Sequence, residues 1–139
     1  MLKPKFSIII FAILFIGTIS IFYAFGNESE AEICRAFLKE YGWETQKQPQ
    51  DRTDVTIPAK FDAVYENYNK IQKNAGLDLT AYCGKKGVRY SFVVTNYPID
   101  VGETVYANVL CINGLPVGGD IMTVSLNGFM HALNENIPQ

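Results

Sequence analysis

The sequence predicts an α+β chain: one N-terminal membrane helix, then a small domain with two main helices packed on an antiparallel sheet of three or more strands and a short C-terminal helix. Three observations predict it. An uncharged apolar run covers residues 6–25, two stretches with helical periodicity follow, and the C-terminal half holds β-branched and aromatic runs divided by turn residues. With 139 residues, 48% of them hydrophobic, and a formal net charge of −2, the chain beyond the first run amounts to one domain.

From Phe6 to Phe25 there are 20 residues without a charge, thirteen of them Ile, Leu or Phe. As a helix rising about 1.5 Å per residue they would span about 30 Å, the thickness of a bilayer's hydrocarbon core. At roughly −0.3 to −0.6 kcal/mol each they contribute on the order of −4 to −8 kcal/mol to insertion, which Ser7, Gly17, Thr18 and Ser20 reduce without cancelling. Lys3 and Lys5 precede the run and every acidic residue follows it. The positive-inside bias therefore keeps the N-terminus in the cytoplasm and predicts a single-pass protein of the cell membrane. Residues 1–26 would be a cytoplasmic stub plus anchor or signal segment, and residues 27–139 an extracytoplasmic domain. Ala24-Phe25-Gly26 has the small-x-small form that a signal peptidase accepts, so secretion after cleavage near Gly26 is the alternative.

The exported part keeps ten of the twelve basic residues and all fourteen acidic ones, a balance of −4. Nucleic-acid binders concentrate positive charge, so no nucleic-acid partner is expected. Lys85, Lys86 and Arg89, flanked by Gly84 and Gly87, are the local exception. They read as a solvated turn, with anionic lipid heads or wall polymers as the alternative contact. Cys34, Cys83 and Cys111 would lie where disulfides form, yet any one pairing leaves a thiol over and a core of this size does not require a staple. Sequence leaves their pairing open. There is no CxxC, His131 is the only histidine, and the glycines of GLPVGGD lack the spacing and lysine of a P-loop. Neither a metal nor a cofactor is expected.

Asn27 or Ser29 can cap a first helix in which Ile33, Phe37 and Tyr41 recur on one stripe beside Cys34 and Leu38, and Gly42 ends it. Trp43 then reads as an apolar cap folded onto the last turn. Residues 46–54 read as a loop, and Val55-Thr56-Ile57 as a short extended piece. After Pro58 a second helix carries the stripe Phe61, Val64, Tyr65, Tyr68 and Ile71 and ends at Asn74-Ala75-Gly76. Asp62 and Glu66 share a face of it, but two exposed acids near a helix start need no catalytic role. Residues 77–83 read as a short turn or 3₁₀ piece. Strands are predicted over 88–97, 103–112 and 115–124, the last two joined by the type I′ loop Asn113-Gly114. A short helix over 126–133 would close the chain, although Asn127-Gly128 works against it.

The tight hairpin sets a register of Ile112 opposite Leu115, Leu110 opposite Val117, Asn108 opposite Gly119 and Tyr106 opposite Ile121, with Pro116 opposite Cys111. Proline cannot donate to a ladder, so this strand is expected at an outer edge, with a bulge or bend at Gly118-Gly119. Two readings of that edge follow. Either it is an irregular edge that resists sheet-to-sheet aggregation, or its missing side chains let a partner backbone or ligand approach Asn108, Gly118, Gly119 and Asp120.

YGWE (41–44), VTIPAKFDAVYENYNKIQK (55–73), RY and VVTNYP within 89–98, VYANVL (105–110), and GGD with SLNGFMHAL within 118–133 carry a resemblance. Over nearly all of the domain the chain resembles the domain-of-unknown-function family 4830, small exported or membrane-anchored proteins of Gram-positive bacteria. The resemblance implies a compartment and a domain boundary and carries no activity. It places Asn96, Tyr97, Pro98, Gly118, Gly119, Asp120, Gly128, Phe129 and Met130 in the family's motif, to which the three cysteines do not belong. An enzyme would show a nucleophile with its base, a metal cluster or a phosphate cradle, and none is visible. The expected function is a non-catalytic protein or peptide binding module acting by strand addition at the sheet edge. The alternatives are an envelope-associated hydrolase using Asp120, or a secreted small-ligand-binding protein.

Overall fold

A computed structural model describes residues 30–137. The predicted span over 6–25 lies outside the described residues, and among those described no helix is long and apolar enough to cross a membrane. In order, the elements are a helix over residues 30–40 (α1), β1 (Asp51–Thr56), α2 (Ala63–Asn74), a 3₁₀ turn (Leu79–Tyr82), β2 (Lys86–Val93), β3 (Tyr106–Ile112), β4 (Leu115–Met122) and β5 (Met130–His131). The strands form one antiparallel sheet in the order β1-β2-β3-β4-β5.

The predicted architecture is corrected at its C-terminal end, where a fifth strand replaces the expected helix. Asn127-Gly128 makes a turn closed by Gly128 N–H donating to Ser125 O at 2.9 Å, and Thr123 N–H donates to Phe129 O at 3.1 Å. The turn residues therefore win over the apolar periodicity of 126–133, and β5 pairs with Ile121 and Met122. The expected loop over 46–54 also gives way in part, because Asp51–Thr56 pairs with residues 86–91 of β2. Charges on alternate positions hid this strand: Arg52 and Asp54 are exposed on an outer edge, where charge discourages sheet-to-sheet association. The strand predicted over 88–97 ends at Val93, after which Val94 bridges to Thr45.

Alternation along β2 and β3 divides the sheet's two faces. Val88, Tyr90 and Phe92 of β2 with Ala107, Val109 and Cys111 of β3 face the larger core, which also takes Cys34 and Leu38 of α1, Trp43, Ile121 and Leu133. The buried stripe of α1 thus centres on Cys34 and Leu38, while Ile33 remains 42% exposed. Gly42, at φ +90°, turns the chain so that Trp43 N–H donates to Leu38 O at 3.1 Å and the indole folds into the core. The opposite face carries a smaller core of Ile57, Leu79, Leu110, Ile112 and Val117 beneath Phe61, Tyr65 and Tyr68.

The register departs from the predicted one by a single residue. Ile112 faces Leu115 and Cys111 faces Pro116 as expected, across a loop whose Asn113 and Gly114 both have positive φ (51° and 75°), but Leu110 faces Gly118. Val117 is the extra residue of a bulge, and beyond it Asn108 faces Asp120 and Tyr106 faces Met122. Nor is β4 an outer strand. β5 flanks its last residues, and α2 meets it at Gly118 and Gly119, where the fully buried Gln72 accepts from Gly119 N–H at 2.7 Å. Asp62 fixes the start of α2 by accepting from Tyr65 N–H at 2.8 Å. The innermost side chains of this helix are the amides Asn69 and Gln72, not the predicted Val64, which is 77% exposed.

This seal sets two expectations. Gln72→Leu leaves Gly119 N–H buried without an acceptor and should lower the unfolding free energy by about 1–3 kcal/mol. At Gly119 an added Cβ would lie 2.7 Å from Asn108 O and 3.0 Å from Leu133 Cδ1. Gly119→Ala should therefore destabilise by about 1–3 kcal/mol as well. Urea midpoints at unchanged slope measure both; a shift below about 0.5 kcal/mol in Gln72→Leu would show that α2 does not close this edge, and one as small in Gly119→Ala that Leu133 and β3 do not crowd position 119.

Candidate functional site

The bulge brings Asn108 and Asp120 onto one face, where a chain of four side chains links the sheet to α2. Tyr68 Oη donates to Asp120 Oδ2 at 2.8 Å, Asn108 Nδ2 donates to Asp120 Oδ1 at 2.8 Å, and Ser91 Oγ donates to Asn108 Oδ1 at 2.6 Å. Asp120 is 2% exposed. Burial raises its pKa above the ordinary 3.8, against the hydrogen bonds from Asn108 and Tyr68 and the positive charge of Arg89. Burial, and then the neighbouring carboxylate, push the Tyr68 hydroxyl well above its ordinary range, so the proton between the two stays on the phenol.

These hydrogen bonds join α2 to the sheet. Both oxygens of Asp120 are occupied from within the fold, and Ser91 gives its hydrogen to an amide oxygen, which cannot serve as a general base. Gly118 and Gly119 are buried too, so Asn108, Gly118, Gly119 and Asp120 do not form the open edge expected of them. Gly118 admits α2 instead: a Cβ there would lie 3.0 Å from Leu79 Cδ2 and 3.1 Å from Gln72 Oε1.

Beside this network the sheet face is open. Gln50, Asp51, Arg89, Ser91, Tyr106, Asn108, Met122 and Val124 line a groove of about 290 Å³. The Arg89 side chain is 41% exposed, with its Nη2 3.7 Å from Asp51 Oδ2, while its Nε is buried and has no hydrogen-bond partner. Tyr106, Met122 and the 72% exposed Val124 supply an apolar wall. A larger hollow of about 370 Å³ beside α1 includes Arg35. There the guanidinium is met by both carboxylate oxygens of Glu32, at 3.2 and 3.3 Å.

Sequence reasoning missed Arg89 and Ser91 as members of one site. The signal was present: in VRYSFVV they alternate with Val88, Tyr90 and Phe92, and period 2 puts them on the face opposite the large core. Tyr68, read as core, is instead a core residue with a polar end.

The remaining motif residues gather at the far end of the large core. Asn96 Oδ1 accepts from Glu44 N–H at 2.9 Å, and its Nδ2 donates to Gly42 O at 2.8 Å. Tyr97 stacks between Trp43 (5.8 Å between centroids) and Phe129 (5.5 Å), and Phe129 stacks on His131 at 5.4 Å. Trp43 Nε1 donates to Leu133 O at 2.6 Å. The Ala132 carbonyl, 2.8 Å from His131 Nδ1, can only accept, so Nδ1 carries a hydrogen, and Nε2 is hydrogen-bonded with Tyr97 Oη at 3.0 Å. Pro98 borders a hollow with Asn96 and Trp43. A Cβ on Gly128 would lie 2.5 Å from Thr123 Oγ1 in the β4–β5 turn, and Met130 pairs with Met122. These residues clasp the chain after α1 to β5.

The sequence profile of one family, Domain of unknown function (DUF4830), matches residues 37–121, more than half of the chain. The chain belongs to this family. No curated protein and no solved structure matches it. The DUF4830 match takes in Asn96, Tyr97, Pro98 and the Gly118-Gly119-Asp120 stretch of β4, and ends before Gly128, Phe129 and Met130.

Asp120 makes a pH prediction. A carboxyl whose pKa is raised on folding binds its proton more tightly in the folded chain, so its contribution to stability is greatest below the ordinary 3.8 and is lost as pH rises through the raised value. Asp120→Asn removes that titration and keeps an acceptor for Asn108 and a polar partner for Tyr68. The stability of the variant relative to the parent chain should therefore improve between about pH 3 and about pH 7. Urea unfolding at several pH values measures this; a constant difference would show that Asp120 does not titrate across the range.

Proposed function

We propose that the domain is a non-catalytic protein or peptide binding module, held at the outer face of the cell membrane by its N-terminal segment, with the Arg89 groove as its recognition surface. The outward placement rests on the uncharged run at 6–25 and the lysines before it. The observation that carries the binding reading is the state of Arg89. A guanidinium has five donors, yet its ion-pair contact among the described residues is one 3.7 Å approach to Asp51, itself 54% exposed. Such a cation in a groove with an apolar wall suits an extended segment that presents a carboxylate to Arg89 and an apolar side chain to Met122 and Val124. Methionine adapts its shape to varied side chains, which fits a surface for peptide rather than for one rigid small molecule.

The test is selection of a displayed random-peptide library on the full-length chain in detergent, comparing the parent with Arg89→Ala and Arg52→Ala. Arg52 lies across the sheet over the Tyr90 ring at 5.8 Å and is the matched control. Enriched peptides should combine Asp, Glu or a free C-terminus with an apolar residue. They should lose affinity about tenfold or more with Arg89→Ala, the effect of removing charge-assisted hydrogen bonds, and keep it with Arg52→Ala. Enrichment that ignores Arg89, or none on a folded chain, would remove this reading.

A further inference from the structure

Cys34 on α1 and Cys111 on β3 are 77 residues apart in sequence, and their sulfurs lie 2.8 Å apart in the core. The side chains are 0% and 1% exposed. Two sulfurs in ordinary nonbonded contact stand well beyond that separation, and a movement of less than an ångström would bring the pair to the bonded distance of about 2.05 Å. Leu38 and Trp43 pack into the same core as the two cysteines. Cys83, the third cysteine, is exposed in the segment before β2 and is no part of this arrangement. We propose that Cys34 and Cys111 are a disulfide pair that fastens α1 to the centre of the sheet and leaves Cys83 as the reactive thiol.

The inference stands on the geometry of the core and is independent of the groove; an oxidising compartment is what the proposed outward placement would supply. With glutathione disulfide as oxidant, one cysteine thiolate attacks a glutathione sulfur and expels glutathione thiolate. The second cysteine thiolate then attacks the protein sulfur of the mixed disulfide and expels the other glutathione. Two cysteine sulfurs are oxidised, one glutathione disulfide is reduced to two thiols, and the two cysteine protons end on the glutathione or in solvent. Because both sulfurs are buried, the exchange belongs to the folding chain, and the finished bond is shielded from reductant.

The experiment refolds the full-length chain in detergent in a glutathione redox buffer, alkylates free thiols, denatures the chain without reductant and alkylates again with a second reagent. The expected result is one modified cysteine, Cys83, a mass two hydrogens below that of the reduced chain, and a proteolytic cross-link joining the Cys34 and Cys111 peptides. Cys83→Ser should leave the cross-link unchanged, and dithiothreitol should open it only with denaturant present. The cross-linked Cys83→Ser chain should melt higher than the Cys34→Ala/Cys111→Ala/Cys83→Ser chain by on the order of 10 °C, as a long closed loop requires. Three alkylated cysteines in the refolded chain, or a cross-link that involves Cys83, would overturn the assignment.

Discussion

The structure depends on how the outer edge of β4 is closed. β5 supplies partners for Ile121 and Met122 alone, so the preceding part of β4 would otherwise present a bare backbone within the core. Burying such groups without partners is more expensive than any packing gain from the same area. The Gln72 carboxamide answers this at Gly119 N–H, and its own Nε2 goes without a partner to do so. Contact so close leaves no room for a side chain at 118, where a Cβ would meet Gln72 and Leu79, while a Cβ at 119 would meet Asn108 O and Leu133 on the other face. Once α2 lies along the edge it serves both faces: Tyr68 reaches Asp120 on one, while Ala75 joins the large core on the other and accepts from Tyr41 Oη at 2.9 Å.

The bulge at Val117 belongs to the same construction. In an unbroken ladder from the Asn113-Gly114 loop, Asp120 would face Ala107, among the apolar residues of the large core. One extra residue turns it to Asn108, where an amide and a phenol can both donate to it. Gly118, bulge and buried carboxylate are therefore interdependent: Gly118 admits the helix, the helix brings Tyr68, and Tyr68 makes the carboxylate tolerable in the position the bulge gives it.

What could be read from the sequence divides along the range of the interactions. The Asn113-Gly114 hairpin was legible because its turn chemistry is local and both residues need positive φ. The second helix was legible from its stripe, with its start displaced to the Asp62 cap. Its inward amides were not, since Asn69 and Gln72 are buried only because backbone donors at Leu79 and Gly119 meet them after folding. The C-terminal strand was obscured by apolar spacing that suits a helix, although Asn127-Gly128 marked the turn. For the site, sequence pointed to Asp120 and Asn108 and placed them one residue out of register, an error that reverses which face a side chain takes. Arg89 was hidden by its neighbours Lys85 and Lys86, which made a charged strand residue look like part of a solvated turn.

Three residues of the predicted motif are bonded to other parts of the fold. Asn96 bonds backbone at Gly42 and Glu44, Tyr97 is stacked and bonded to His131, and Asp120 has both oxygens engaged. These bonds join the chain after α1 to the rest of the sheet and occupy the buried Asp120 from within. The groove differs because Arg89 has donors left over. Arg89, Ser91, Tyr106 and Asn108 fall within the family-matched stretch 37–121, whereas Met122 and Val124 fall beyond it. Under the binding reading, the charged floor is where a class of partners is accepted, and the apolar wall is where one partner is told from another. A carboxylate would meet the same guanidinium in many ligands, whereas the side chain beside it must fit a wall of particular shape.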